Sequence, residues 1–182
     1  MTPMTPMTRT SRNRDAGFTL IELLIVVAII SIIAAFAVPG LLRSRMTANE
    51  TSALASLQAI NKAQMLYATS CGNGGFATSI AVLGTPPPGT TEPFLSADLT
   101  QAATPLKSGY LFTIGPGAGA APGPNDCNGT ATQTAYYATG VPQTFGTTGA
   151  RSFATSAGQT IWQVNAATAP TEPFGAPAVP IQ

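Results

Sequence analysis

A single carboxylate lies inside the longest apolar run of the sequence. From Phe18 to Val38 the chain has 21 residues, and Glu22 is the only strongly polar one. As a helix this run would rise about 31 Å, which is enough to cross the hydrocarbon core of a membrane. Because an ionisable group in such a segment is costly, we take Glu22 as a candidate functional residue.

Side chains for acid–base, nucleophilic or metal chemistry are scarce elsewhere. The sequence has no histidine, which removes the commonest general base and metal ligand. We therefore expect no enzymatic activity, no cofactor and no metal. With 8% charged residues and a net charge of +1, the chain has no basic patch, so we expect no direct binding of nucleic acid. Beyond Cys71 the charged residues are Glu92, Asp98, Lys107, Asp126, Arg151 and Glu172.

Two cysteines, Cys71 and Cys127, lack the short spacing of a metal site. If the C-terminal part of the chain lies outside the cytoplasm, a single disulfide is the natural interpretation. Two unpaired thiols are the alternative.

The first 17 residues form a polar leader that contains Arg9, Arg12 and Arg14. In a secretory signal the small-residue cleavage site follows the apolar core, whereas here Gly17 precedes it. Cleavage at Gly17 would therefore leave the apolar run on the mature protein. The positive-inside rule places the leader in the cytoplasm and the C-terminal domain outside.

The stretch GFTLIELLIVVAII, residues 17–30, resembles the prepilin signature of type IV pilins and of the pseudopilins of type II secretion. In that family a membrane peptidase cleaves after the glycine and methylates the new N-terminal residue. The resemblance implies cleavage between Gly17 and Phe18, N-methylation of Phe18, and filament assembly through Phe18 and Glu22. It also implies four partners: other copies in a homopolymeric helical filament, the prepilin peptidase, an inner-membrane assembly platform, and the membrane that holds the precursor.

The physics of Glu22 agrees with assembly. Cleavage would leave a cationic amine on Phe18, and a Glu22 dehydrated within a bundle of helices would need a cation. The amine of a neighbouring subunit is the obvious partner, and pairing would fix the axial register, the best-attested role of a buried ion pair. The alternative is a carboxylate near the end of a membrane anchor with no assembly role.

The helix is expected to continue beyond the apolar part. Residues 18–39 form the transmembrane or filament-core segment. Pro39 at its end and Gly40 directly after it predict a kink or a short unwound stretch, or alternatively a helix end near the membrane surface. Residues 40–70 are rich in helix formers and predict an amphipathic continuation. Its apolar stripe consists of Leu42, Met46, Ala53, Leu57, Ile60 and Tyr67, with Glu50, Ser56 and Asn61 among the residues off it.

The remaining chain is rich in glycine and proline and predicts a β-sheet head over residues 71–164. Short helices are expected over 78–83 and 94–99, and strands over 109–114, 134–139, 151–155 and 160–164. The proline-rich residues 165–182 predict an exposed tail. The predicted fold class is α+β and type IV pilin-like: a long kinked N-terminal helix, transmembrane in its first half, packed on a roughly four-stranded antiparallel sheet.

These features favour a structural subunit of a type IV pilus-like filament that serves adhesion, motility or DNA uptake. The precursor would span the inner membrane once, and the assembled protein would lie on the cell surface. The alternatives are a type II secretion pseudopilin, which would be periplasmic, and an anchored periplasmic binding module. Asn49 and Asn128 each match the short Asn-x-Thr glycosylation pattern.

Overall fold

The fold is described for residues 17–181 of a computed structural model. The predicted leader therefore lies, apart from Gly17, outside the described residues. By its internal contacts the chain divides into two compact units, one ending at Gly40 and one beginning at Leu41. In chain order the described elements are α1 (Leu20–Ser70), α2 (Ile80–Leu83), α3 (Ala97–Thr100), β1 (Leu106–Lys107), β2 (Tyr110–Pro116), β3 (Pro122–Asn125), β4 (Ala131–Gln133), β5 (Tyr136–Pro142), β6 (Ser152–Ser156), β7 (Trp162–Val164) and β8 (Val179–Pro180).

Helix α1 has 51 residues and contains Pro39 in its interior. Pro39 and Gly40 are both helical, so the expected unwound stretch is absent at these two residues, and a kink in an assembled filament stays a prediction. The N-terminal part of α1 is long and apolar enough to cross a membrane, and its most apolar window buries nothing inside the protein.

From Leu41 onward, one face of α1 packs into the core of the head. Ala53, Leu57, Ile60 and Tyr67 are fully buried, as the stripe predicted. Leu42 is exposed, which is a correction to that stripe.

Three polar residues that were expected off the stripe are also buried: Glu50, Ser56 and Asn61. Burying a polar group is tolerable when it is hydrogen-bonded, and each of the three has a partner. Glu50 pairs with Arg151, Asn61 binds Tyr136 and Thr155, and Ser56 donates to the carbonyl of Ser52.

The main sheet has six antiparallel strands in the order β1-β2-β5-β6-β7-β8. Its four central strands correspond to the four predicted ones, while β1, β8 and the separate β3–β4 ribbon were not predicted. The long N-terminal helix followed by a mostly antiparallel sheet confirms the α+β, type IV pilin-like class. Helices α2 and α3 lie within the two predicted short helices or extend one residue beyond them.

The core lies between α1 and one face of the main sheet. The short alternation of the strands predicts Phe153 in the core but does not decide between Tyr110 and Leu111, Tyr136 and Tyr137, or Ile161 and Trp162. In the structure Tyr110, Tyr136 and Ile161 are buried together with Phe153. Because side chains alternate across a strand, Tyr137 points to the opposite face, where it is half-buried.

The C-terminal segment is exposed at most of its residues, and it also packs on the sheet. We call residues 165–181 the C-terminal strap. Its β8 pairs with β7, and Phe174 stacks on Trp162 with 5.4 Å between ring centroids. Tyr137 packs on the other side of Phe174 and donates a hydrogen bond to the carbonyl of Pro170. Aromatic packing on the outer sheet face thus holds this proline-rich segment in place.

Candidate functional site

The start of α1 is fixed by a reciprocal pair of hydrogen bonds between Thr19 and Glu22. The backbone N–H of Thr19 donates to Glu22 Oε2 at 2.9 Å, and the backbone N–H of Glu22 donates to Thr19 Oγ1 at 3.2 Å. The Thr19 hydroxyl also donates to Glu22 Oε2 at 2.6 Å. This is a capping box, in which an N-cap threonine and a glutamate three residues later satisfy each other's unpaired N–H groups.

The capping box uses one oxygen of the Glu22 carboxylate and leaves the other one without a hydrogen bond within the described residues. Both bonds from Thr19 end on Oε2, and Oε1 makes no hydrogen bond within residues 17–181. Glu22 is exposed, and within the same residues no side-chain cation pairs with it. The carboxylate is therefore oriented by its own helix and keeps one oxygen free for a cation.

Thr19 is a residue that the sequence prediction missed. The signal was present, because Thr19-x-x-Glu22 directly before an apolar run is the sequence signature of a capping box. Gly17, Phe18 and Thr19 precede the helix, so the expected cleavage point between Gly17 and Phe18 lies in non-helical backbone.

Within residues 17–40, the apolar part of α1 has no packing partner. Phe18 is 83% exposed and Phe36 81%, and the large aliphatic side chains between them are also exposed. An apolar surface of this extent requires lipid or another apolar surface.

The base of the head is attached to α1 by an ion pair. The guanidinium of Arg151 donates to Glu50 Oε2 through Nε at 2.8 Å and Nη2 at 2.6 Å. The backbone N–H of Ala150 donates to Glu50 Oε1 at 2.9 Å, and Arg151 also donates to Gln163 on β7 at 2.7 Å. One buried carboxylate on α1 thus orders the start of β6.

The far end of α1 is attached by a disulfide between Cys71 and Cys127, whose Cα atoms are 4.8 Å apart. Beside it, the hydroxyl of Tyr67 donates to Asp126 Oδ2 at 2.8 Å. Burial, followed by this bond to the Asp126 carboxylate, raises the pKa of Tyr67. The loop that carries Cys127 is therefore fixed to α1 by one covalent bond and one buried hydrogen bond.

The comparison with protein families concerns the same N-terminal residues. Residues 12–38 match the model of the prokaryotic N-terminal methylation motif. In this segment the chain is similar to type IV prepilins. The match includes Gly17, Phe18, Thr19 and Glu22, so the capping box lies inside the prepilin motif.

Two relatives agree with this assignment. The chain is 55% identical over 51 residues to the type IV wide pilus major component PilA4 of Thermus thermophilus, a match that covers 28% of this chain and 39% of the relative. It is 47% identical over 54 residues to the type IV major pilin protein PilA of Myxococcus xanthus, covering 30% and 24% respectively. The chain thus spans well under half the length of these relatives, and no solved structure matches it.

Proposed function

We propose that this protein is a structural subunit of a type IV pilus-like filament. The observation that carries the proposal is an exposed apolar helix that begins with a capped, uncompensated carboxylate inside a prepilin motif. The two relatives, described as a pilus component and a pilin, support a pilus over a secretion filament.

In this proposal the N-terminal helix has two successive environments. Before assembly it anchors the precursor in the inner membrane, with Glu22 near the cytoplasmic edge. The prepilin peptidase cleaves after Gly17 and methylates Phe18, and the assembly platform then transfers the helix into a bundle of identical helices. There the free Oε1 of Glu22 accepts a hydrogen bond from the N-terminal amine of Phe18 of a neighbouring copy. This ion pair sets the axial register between the two subunits. The heads form the outer layer on the cell surface.

The N-terminus can be tested on protein from sheared surface material. Mass spectrometry is expected to find mature chains that begin at methylated Phe18, and electron microscopy is expected to find long filaments that contain this protein. An N-terminus other than methylated Phe18 would contradict the processing step. Correct processing without filaments under native expression would favour the secretion pseudopilin instead.

The role of Glu22 can be tested by Glu22→Gln and Glu22→Ala. Both variants are expected to insert into the membrane normally and to lose filaments, because neither carries the negative charge that forms an ion pair with the amine. Glu92→Gln, a change at an exposed carboxylate of the head, is the matched control and should assemble normally. Normal filament yield from either Glu22 variant would refute the register role.

A further inference from the structure

Two Asn-x-Thr sequences lie in contrasting environments of the head. The first, Asn49–Thr51, is inside α1, and the second, Asn128–Thr130, is in the loop between β3 and β4. This pattern is the acceptor sequence for N-linked glycans, which are expected on surface loops of exported proteins. Sequence alone does not distinguish the two, but their local structure does.

In the first sequence, the Asn49 amide and the Thr51 hydroxyl are both hydrogen-bonded within the protein. The Asn49 side-chain amide donates to the carbonyl of Thr148 at 2.9 Å, and the Thr51 hydroxyl donates to the carbonyl of Thr47 at 2.9 Å. Glu50 between them is buried against Arg151. A transferase could reach this asparagine only by unwinding α1 and breaking the ion pair at the base of the head.

At Asn128 the groups are accessible. Asn128, Gly129 and Thr130 are all exposed. The Asn128 side-chain amide makes one long hydrogen bond, at 3.3 Å to the carbonyl of Pro86, and the Thr130 hydroxyl makes none within the described residues. The acceptor nitrogen and the hydroxyl that a transferase reads are therefore both available without unfolding.

The loop that presents Asn128 is preformed. The carboxylate of Asp126 accepts the backbone N–H groups of Asn128 at 2.9 Å and Thr130 at 2.6 Å, which is a turn built by a side chain. Gly129 at φ +80° provides the left-handed conformation that this turn needs. The neighbouring disulfide anchors the turn to the end of α1.

We propose that Asn128 is the acceptor of an N-linked glycan, and that Asn49 is not modified. In the transfer, Asn128 Nδ2 forms a bond to the anomeric carbon of a sugar activated as a lipid diphosphate. The anomeric C–O bond breaks, its electron pair leaves with the diphosphate, and the amide nitrogen loses one proton.

A glycan on Asn128 is compatible with polymerisation through α1, because Asn128 is not part of the apolar segment, residues 18–39, that would form the filament core. A hydrophilic glycan would also solubilise a head that carries few charges. The proposal rests on the proposed function only in requiring that the head be exported.

The test is peptide mapping by mass spectrometry of the native protein, purified both from sheared surface material and from membranes. The peptide containing Asn128 is expected to carry a sugar mass, and the peptide containing Asn49 is expected to have its sequence mass. An unmodified Asn128 peptide from assembled filaments, or a glycan on Asn49, would overturn the proposal. Filament formation is scored separately by electron microscopy, so filaments with unmodified chains reject only the glycan, and glycosylated chains without filaments reject only the pilus.

Variants expressed in the native host complete the test. Asn128→Gln and Thr130→Ala are expected to abolish the added mass, while Thr130→Ser and Asn49→Gln are expected to retain it. An intact Cys71–Cys127 disulfide in each variant shows that the loop has kept its attachment. Retention of the sugar in Asn128→Gln would place it elsewhere and refute the assignment.

Discussion

At the residue scale, the capping box makes Thr19 as important for the start of α1 as Glu22. Thr19→Val removes the hydroxyl but keeps the shape of the side chain, and an N-cap of this kind contributes about 1 kcal/mol. Because the cap also orients the Glu22 carboxylate, we expect roughly fivefold fewer filaments from Thr19→Val. Thr19→Ser retains the cap and should assemble normally. If fractionation shows equal membrane insertion of both variants, the loss of filaments is due to assembly. An undiminished filament yield from Thr19→Val would contradict the role of the cap.

Replacing Glu50 should lower the free energy of unfolding of the head. Glu50→Ala leaves the Arg151 guanidinium and the N–H of Ala150 without their acceptor. Removing one partner of a buried pair costs about 3–5 kcal/mol, and because Arg151 is 39% exposed we expect about 2 kcal/mol. Thermal unfolding of the detergent-solubilised chain should show a decrease of roughly 5 °C. Glu92→Ala is the exposed control, and equal melting temperatures for the two variants would show that the pair is not stabilising.

Local pattern explains why Glu22 was predicted and Glu50 was not. Glu22 is conspicuous because its immediate neighbours in sequence are apolar. Glu50 is buried because of Arg151, which lies 101 residues away in sequence, and no helical periodicity reports such a partner. The choice of Tyr136 over Tyr137 has the same origin, because Asn61 on α1 accepts the Tyr136 hydroxyl at 2.9 Å.

At the element scale, the predictable parts were those with a strong local signal. The apolar run and the stripe beyond it predicted α1 within two residues at its start and at the correct residue at its end, and β-branched and aromatic runs predicted the four central strands. The β3–β4 ribbon has few such residues, and the C-terminal strap is held by Phe174 against Trp162. Composition therefore misrepresents segments whose order comes from tertiary packing.

The disulfide is expected to be a main source of stability at the far end of α1. Its cysteines are 56 residues apart, and cross-linking a loop of that length contributes about 4 kcal/mol in the chain-entropy model. The double variant Cys71→Ala, Cys127→Ala should therefore unfold at a lower urea concentration. Addition of reductant should shift the parent protein toward the variant and leave the variant unchanged. Coincident curves for the oxidised parent and the variant would contradict this role.

The C-terminal strap can be released without removing the core. Phe174→Ala deletes the ring between Trp162 and Tyr137, both of which lie on the outer sheet face. We expect faster proteolysis within residues 165–181 and a red shift in the emission of Trp162, the only tryptophan. Phe145→Ala, at a 45% exposed loop phenylalanine, is the aromatic control and should change neither measurement. Unchanged emission in Phe174→Ala would show that the strap is held by β8 pairing alone.

At the scale of the whole molecule, the head has few charged groups but several buried phenols. The head from Cys71 onward has six ionisable residues of the acidic and basic types, yet it buries Tyr110 and Tyr136, and Tyr67 of α1 is buried against it. Stability at acid pH therefore depends on few carboxylates, whereas the buried phenols make the fold sensitive to base.

The pH dependence follows from the direction of the tyrosine shifts. Burial raises the pKa of Tyr67, Tyr110 and Tyr136 above the ordinary value of 10, and the carboxylates of Asp126 and Glu50 add to the effect at Tyr67 and Tyr110 respectively. Above about pH 10 the unfolded chain loses these protons while the folded chain keeps them. The unfolded state then binds fewer protons, so the free energy of unfolding decreases as the pH rises.

We therefore expect the urea midpoint to be constant from neutral pH to about pH 9 and to decrease steadily above about pH 10, with tyrosinate absorbance appearing together with unfolding. Tyr136→Phe is the informative variant. It should be less stable at neutral pH, because Asn61 loses the Tyr136 hydroxyl, but its stability should decrease less in base since one buried phenol is gone. If the tyrosines of the parent protein ionise near pH 10 while its circular dichroism stays native, the phenols are accessible to solvent and the prediction is wrong. If the urea midpoint of Tyr136→Phe decreases as steeply above pH 10 as that of the parent, Tyr136 does not contribute to the alkaline destabilisation.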